Sequence, residues 1–218
     1  RRDSGFVREG HGDLHLRNII DWNDRVIPFD CIEFNANLRW IDVISELSFL
    51  LMDLDDHQHS HLSRRLLNAW LEHTGDYSGL QLLCFYKVYR AMVRAKVASL
   101  RLLQSTTDKD IEAHNFSNYV ALAESYTQEQ PARLIITYGL SGSGKTWFSQ
   151  QLLEAAPLIR LRSDVERKRL FGLGPSNRSG SETAGIYRPA ASKKTYAHLL
   201  DKTAQLIGCG FSVVVDAA

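Results

Sequence analysis

At 218 residues the chain can hold one large domain or two small ones. Its 44% hydrophobic and 23% charged residues are those of an ordinary globular protein, and a formal net charge of +1 excludes a long-range field that would draw in nucleic acid or an anionic membrane. Three cysteines, Cys31, Cys84 and Cys209, lie far apart without metal-ligand spacing, which suits reduced thiols in a cytoplasmic protein better than a disulfide framework. No apolar run approaches the roughly 18–20 residues of a membrane span, and no signal peptide opens the chain. The chain begins Arg1-Arg2-Asp3 and ends in Val213-Val214-Val215-Asp216-Ala217-Ala218, at the mouth of an apparent strand, so a fragment of a longer protein is expected.

The first stretch, to about Asp30, reads as a loop followed by a hairpin. Residues 18–21 and 25–30 are short extended runs around a turn at Trp22-Asn23-Asp24. Ahead of the hairpin, His11, Asp13 and Asn18 have the spacing H-x-D-x-x-x-x-N. That is the catalytic-loop spacing of protein-kinase-like folds, in which the Asp accepts the proton of an acceptor hydroxyl and the Asn binds Mg²⁺. A second metal carboxylate should follow the hairpin, and Asp30 ends the run Val26-Ile27-Pro28-Phe29. The plain alternative for Asp13 and Asn18 is a polar turn.

The segment His11-Gly12-Asp13-Leu14-His15-Leu16-Arg17-Asn18 resembles the aminoglycoside phosphotransferase family, whose loop reads H-G-D-x-H-x-x-N. The resemblance implies that Asp13 is the base and that Asn18 and Asp30 are Mg²⁺ ligands. It also implies that His15 and Arg17 support the loop and that Asp42, at the start of the next helix, hydrogen-bonds it from below. By this likeness residues 1–129 are the helical C-lobe of a protein-kinase-like fold, without its N-terminal lobe.

From about Leu38 to Thr127 the pattern is helical. Trp40, Ile41, Ile44, Leu47, Leu50 and Leu51 recur at three- and four-residue spacing, and residues 80–103 and 111–126 follow suit. Gly75, Asp76 and Gly79 punctuate these helices. His57-Gln58-His59-Ser60-His61 invites a metal reading, but no carboxylate or cysteine pattern completes a site, and solvated histidines are expected. Gln128-Glu129-Gln130-Pro131 is a short polar link. A domain boundary is placed near Pro131, giving domains 1–129 and 131–218.

After the link, strands alternate with helices: strands at 134–138, 158–161 and 211–215, and helices at 145–155 and 190–207, the last stopped by Gly208 and Gly210. That alternation signals a parallel sheet with crossover helices. Between the first strand and helix stands Gly139-Leu140-Ser141-Gly142-Ser143-Gly144-Lys145-Thr146, a full match to the P-loop pattern G-x-x-x-x-G-K-[ST]. Its glycines let the backbone curl so that successive N–H groups face phosphate, and the helix start adds its positive dipole end. Lys145 then reaches the β- and γ-phosphates of ATP, and the Thr146 hydroxyl can ligate Mg²⁺.

Ligand sites in such sheets form at the carboxyl ends of strands. Asp216 ends a strand where a carboxylate would hold Mg²⁺ or its water, the alternative being a strand-end turn. Asp164, in Arg162-Ser163-Asp164, can deprotonate an acceptor hydroxyl or simply cap the helical run 165–171. Arg167-Lys168-Arg169 reads as a solvated helix face, and residues 172–185 as a mobile loop over a site or a plain connector.

The stretch from Arg133 onward resembles the small P-loop kinases, the group that includes polynucleotide, gluconate and shikimate kinases. That likeness implies a three-layer α/β P-loop NTPase domain, here without its later strands and arginine-bearing lid. Together the halves resemble a bacterial protein in which an aminoglycoside-phosphotransferase-like domain is fused to an ATP-binding P-loop kinase domain. The expected function is an ATP- and Mg²⁺-dependent phosphotransferase acting on a hydroxyl of a small molecule. The alternatives are an ATP-binding switch without phosphoryl transfer and a polynucleotide 5′-kinase. The near-zero net charge and the lack of a basic, aromatic-interleaved stripe argue against nucleic acid as partner.

Overall fold

The structure, a computed structural model, describes residues 1–104, 107–140, 142–175 and 185–217. The chain forms two compact units, one of Arg1–Ser63 with Ser78–Gln128, the other of Arg64–Tyr77 with Glu129–Ala218. The sequence-based boundary near Pro131 divides the chain linearly, whereas residues 64–77 group with the second unit.

In the first unit, strand β1 (Val7–Glu9) is followed by β2 (Ile19–Asp21), β3 (Val26–Pro28) and β4 (Trp40–Asp42). Strands β2 and β3 form the expected hairpin, with Ile20 opposite Ile27. Asn23 and Asp24 take φ of 53° and 58°, the two left-handed residues of a type I′ turn, and Trp22 and Arg25 exchange backbone hydrogen bonds across it. Helical periodicity from Leu38 is corrected here. Trp40 and Ile41 lie in β4, which pairs antiparallel with β1, and the helix starts only after Asp42. The reason is a cap: Asp42 Oδ1 accepts the Ile44 N–H at 3.0 Å, which fixes the start of α1 (Val43–Asp56).

Helix α2 (Ser60–Thr74) follows, then α3 (Leu80–Gln104) and α4 (Lys109–Ser125). Phe49 and Met52 of α1 pack with Ala91 and Ala95 of α3 and Tyr119 and Ala123 of α4. The alanines let the helices approach closely while the larger side chains fill the space between them. Burying Phe49 and Met52 contributes about 1.5–3 kcal/mol each.

In the second unit, β5 (Leu134–Thr137) leads into α5 (Lys145–Ala155), β6 (Leu158–Arg162), α6 (Ser163–Leu170), α7 (Pro189–Gly208) and β7 (Ser212–Asp216). The sheet is parallel with order β5-β7-β6. The last strand therefore lies in the middle, and Val213 and Val214 are fully buried there, as expected of a parallel strand covered by helices. Leu153 of α5 and Leu158 of β6 complete its core with Val214.

Residues 64–77 join this unit because α2 completes the hydrogen bonding of β6. The buried Asn68 donates from Nδ2 to Leu158 O at 2.9 Å and accepts the Arg160 N–H at Oδ1, 2.7 Å. One amide thus stands in for a neighbouring strand. Among the described residues, no helix is long and apolar enough to cross a membrane.

Candidate functional site

Residues 139–146 form the turn from β5 into α5. Gly142 and Gly144 have φ of 78° and 86°, where a side chain would be strained, and a Cβ on Gly139 would come within 2.9 Å of Ser143 Oγ. Ser141 lies outside the described residues. Gly144 caps α5 without a side-chain acceptor, so the first-turn N–H groups and the positive end of the helix dipole face the turn. Lys145 Nζ donates to Gly139 O and Leu140 O, both at 2.7 Å, and closes the loop on its own carbonyls.

A cavity of about 370 Å³ opens here, lined by residues 142–147 together with Arg162, Ser163, Asp164 and Asp216. The sheet register explains the meeting. Asp216 ends the central strand and lies opposite Thr137 of β5 and Arg162 of β6. The Asp216 carboxylate is buried, yet its hydrogen bonds from Thr137 Oγ1 and Ser149 Oγ are long, both 3.4 Å, and Arg162 Nε stands at 3.9 Å. A buried carboxylate so weakly held, sharing a cavity with the exposed Thr146, is a hard oxygen donor set that fits Mg²⁺.

Asp164 does not cap α6. The cap position is Arg162, and Asp164 lies within the first turn. Its Oδ1 accepts the Tyr187 hydroxyl at 2.8 Å, and its Oδ2 pairs with Lys168 Nζ at 2.8 Å. Partial burial pushes this carboxyl up, but the hydrogen bonds from Lys168 and Tyr187 and the charges of Lys168 and Arg162 outweigh it and hold Asp164 below the usual carboxylate value.

The basic run is not a solvated face, which corrects the sequence reading. Lys168 is buried against Asp164, Arg167 lies over the Tyr187 ring, and Arg169 pairs with the fully buried Glu166. Glu166 also accepts from Tyr77 Oη and pairs with His198 Nε2, both at 3.0 Å. Burial and the Glu166 charge hold the Tyr77 phenol well above its ordinary range. Of the proposed loop 172–185, residues 176–184 lie outside the described residues.

The first unit assembles the other set. His11 Nε2 donates to Phe29 O at 2.7 Å, and the Phe29 N–H donates to Asn18 O at 2.9 Å. The Ile32 N–H donates to His11 O at 3.0 Å. These bonds hold the backbone on both sides of Asp30 (φ 60°) against the loop that carries Asp13 and Asn18. Asn18 Nδ2 donates to Asp13 O at 3.0 Å and to Asp13 Oδ2 at 3.2 Å.

The His15 tautomer follows from its neighbours. Nδ1 accepts the Arg17 N–H, so the neutral ring carries its proton on Nε2, 3.4 Å from Asp13 Oδ2. That hydrogen bond, opposed by burial and helped by the Arg94 charge and by Asn18, lowers the Asp13 pKa.

Asp42 does not reach this loop, which corrects the expectation for it. Its carboxylate caps α1 and takes both Nε and Nη2 of Arg1, at 2.5 and 2.8 Å. Asp53 supports the loop instead, its buried Oδ2 accepting the Leu16 N–H at 2.8 Å. The Gly12 peptide is clamped at both ends: Glu46 Oε2 accepts its N–H at 3.0 Å, and Arg90 Nη1 donates to its oxygen at 3.2 Å. Glu46 and Asp53 are seven residues apart on one face of α1, a spacing that the sequence carries. Arg90, 78 residues from Gly12, had no such signal. Asp53, Asp56 and His57 also place ligand atoms within 4.8 Å of one another, a juxtaposition the sequence reading of the histidine run missed.

Residues 134–218 match the AAA domain family, a group of P-loop nucleotide-binding proteins that includes kinases. Over 217 residues the chain is 30% identical to a protein of Mycobacterium tuberculosis, "Uncharacterized protein Rv2004c", and to one of Mycobacterium bovis, "Uncharacterized protein Mb2027c". Each match covers 99% of this chain and 43% of the relative, so the chain spans less than half the length of the curated relatives it matches. No solved structure matches the chain.

Proposed function

We propose that this chain belongs to an ATP- and Mg²⁺-dependent phosphotransferase that acts on a hydroxyl of a small molecule. The observation that carries the reading is the shared cavity in which the P-loop backbone, Lys145 and Thr146 meet the two carboxylates Asp164 and Asp216. The N–H groups of residues 142–146 and the Lys145 ammonium bind and orient the triphosphate. Thr146 and Asp216 would hold Mg²⁺, which when bound neutralises charge on the β- and γ-phosphate oxygens. Asp164, kept ionised by Lys168 and Tyr187, accepts the acceptor's hydroxyl proton. The acceptor oxygen bonds to the γ-phosphorus as the bond from that phosphorus to the β–γ bridging oxygen breaks, which leaves ADP.

The first unit supports a second site of the aminoglycoside-phosphotransferase type, in a protein-kinase-like C-lobe. Asp13 would be its base, with Asn18 and Asp30 as metal ligands through oxygen. The donor types fit, because Asn18 uses its Nδ2 on Asp13 and keeps Oδ1 for a cation. A nucleotide-binding switch without transfer is the competing reading. It is favoured by Asp164 having both oxygens engaged, by Tyr187 and Lys168.

The two readings separate in a transfer assay with γ-phosphate-labelled ATP and a panel of hydroxylated metabolites. Label should move to an acceptor, and Asp164→Asn and Asp13→Asn made separately show which unit transfers it. Tight ATP binding with no transfer to any acceptor would support the switch.

A further inference from the structure

Beside Lys145, the described residues lining the P-loop cavity include one further cation, Arg162, whose donors are only partly engaged. It ends β6 in register with Asp216, and its side chain is 32% exposed. Nη1 donates to Glu72 Oε2 at 3.3 Å, whereas Nε stands 3.9 Å from Asp216 Oδ2, beyond hydrogen-bond reach. Among the described residues, neither Nε nor Nη2 donates to a protein acceptor. Glu72 is already matched in charge by the buried Arg160, whose Nε donates to its other oxygen at 2.8 Å. Arg162 therefore keeps two N–H donors, Nε and Nη2, uncommitted beside the cavity, with Asp216 as a distant counter-charge.

Its place between two carboxylates says what those donors are for. Asp216 marks the metal end of the cavity and Asp164, two residues along the chain, the base end. A phosphoryl group passing from a metal-bound nucleotide to a hydroxyl must lie between them, and a planar guanidinium with two free donors suits its oxygens. We infer that Arg162 binds the terminal phosphate of the nucleotide and that Glu72, on α2 outside the P-loop region of the sequence, is the positioning residue that aims it. Glu72 holds Arg160 and Arg162 on one carboxylate, and Asn68 anchors the same helix to β6 one turn earlier. The guanidinium is thereby oriented before any ligand arrives, which lowers the ordering cost of binding.

The inference rests on residues 139–146 being a nucleotide site, so the test compares two nucleotides on the intact chain. Titration calorimetry with MgATP and MgADP is run on wild type, Arg162→Ala, Glu72→Gln and the double variant. Arg162→Ala should weaken ATP binding by about tenfold or more, the loss of a charge-assisted phosphate contact, and change ADP binding by less than about twofold. Glu72→Gln should shift the same ratio in the same direction, and should shift it no further when added to Arg162→Ala. A merely structural Glu72 would instead lower both affinities together. Should Glu72→Gln fail to fold, Glu72→Asp keeps the charge and should retain most of the ATP preference.

If wild type binds neither nucleotide, the reading of the site falls and takes the inference with it. If wild type binds ATP but Arg162→Ala leaves the ATP-to-ADP ratio unchanged, the inference alone is overturned. An unchanged ratio with tighter Mg²⁺ binding would identify Arg162 as a counter-ion of Asp164 and Asp216.

Discussion

The two loops that carry phosphate chemistry are built in opposite ways. Residues 139–146 obtain their shape from the backbone: positive-φ glycines, a helix start, and a lysine folded onto its own loop's carbonyls. Residues 11–18 are held from outside, by Asp53 under Leu16, by Glu46 and Arg90 on the Gly12 peptide, and by Phe29 between His11 and Asn18. A loop that encodes itself tolerates change in the rest of the fold. A loop held by distant side chains is as sound as those side chains.

That contrast can be broken by removing one support from each unit. Asp53→Ala leaves the Leu16 N–H without its carboxylate, and a hydrogen bond to a charged group is worth about 1.5–3 kcal/mol. The loss should lie near the upper end, about 3 kcal/mol, because the carboxylate is buried. Urea denaturation followed by tryptophan fluorescence can read it, and a loss below about 1 kcal/mol would mean that the loop holds itself.

Asn68→Ala removes the amide that completes β6 and leaves Leu158 O and Arg160 N unpaired. A loss of about 2 kcal/mol is expected in the same assay. An unchanged denaturation midpoint would show that β6 needs no such neighbour.

The smallest effect concerns pH. The folded Asp13 carboxyl titrates below its ordinary value, about 3.9 for an unperturbed aspartate. Its contribution to stability is therefore complete above that value and is lost as pH falls through the lower, folded one. His15→Gln should raise the Asp13 midpoint and shrink the acid-labile part of the stability, with little change at neutral pH. Carboxyl chemical shifts followed by NMR between about pH 2 and 6 report it. A midpoint that His15→Gln does not move would remove His15 as its cause.

Legibility followed the same contrast. The P-loop was readable because glycine, lysine and threonine at fixed offsets are a local code for a backbone shape. The hairpin was readable for the same reason, Asn23-Asp24 being turn chemistry between two apolar runs. Trp40 and Ile41 were misread because three residues of strand share their spacing with the first turn of a helix, and only pairing with β1 decides between them. Asp42 and Asp53 are both acids of the α1 segment, at its cap and in its body, and sequence does not say which one faces the loop. Glu72 and Asn68 were invisible as parts of the second unit, because their partners lie some 90 residues away. The basic run 167–169 reads as a solvated face although its acidic partners, Asp164 and Glu166, stand one turn earlier on the same helix; what the sequence hides is the cover that Tyr77 and Tyr187 provide.

Nucleotide binding by residues 139–146 is the claim on which the rest depends, and it is tested most directly by titrating MgATP into the intact chain and into Lys145→Ala. Loss of the ammonium should cost about a hundredfold in affinity, in a variant that still folds. Wild type that binds no nucleotide, or a Lys145→Ala variant that binds ATP as tightly as wild type, would contradict the assignment.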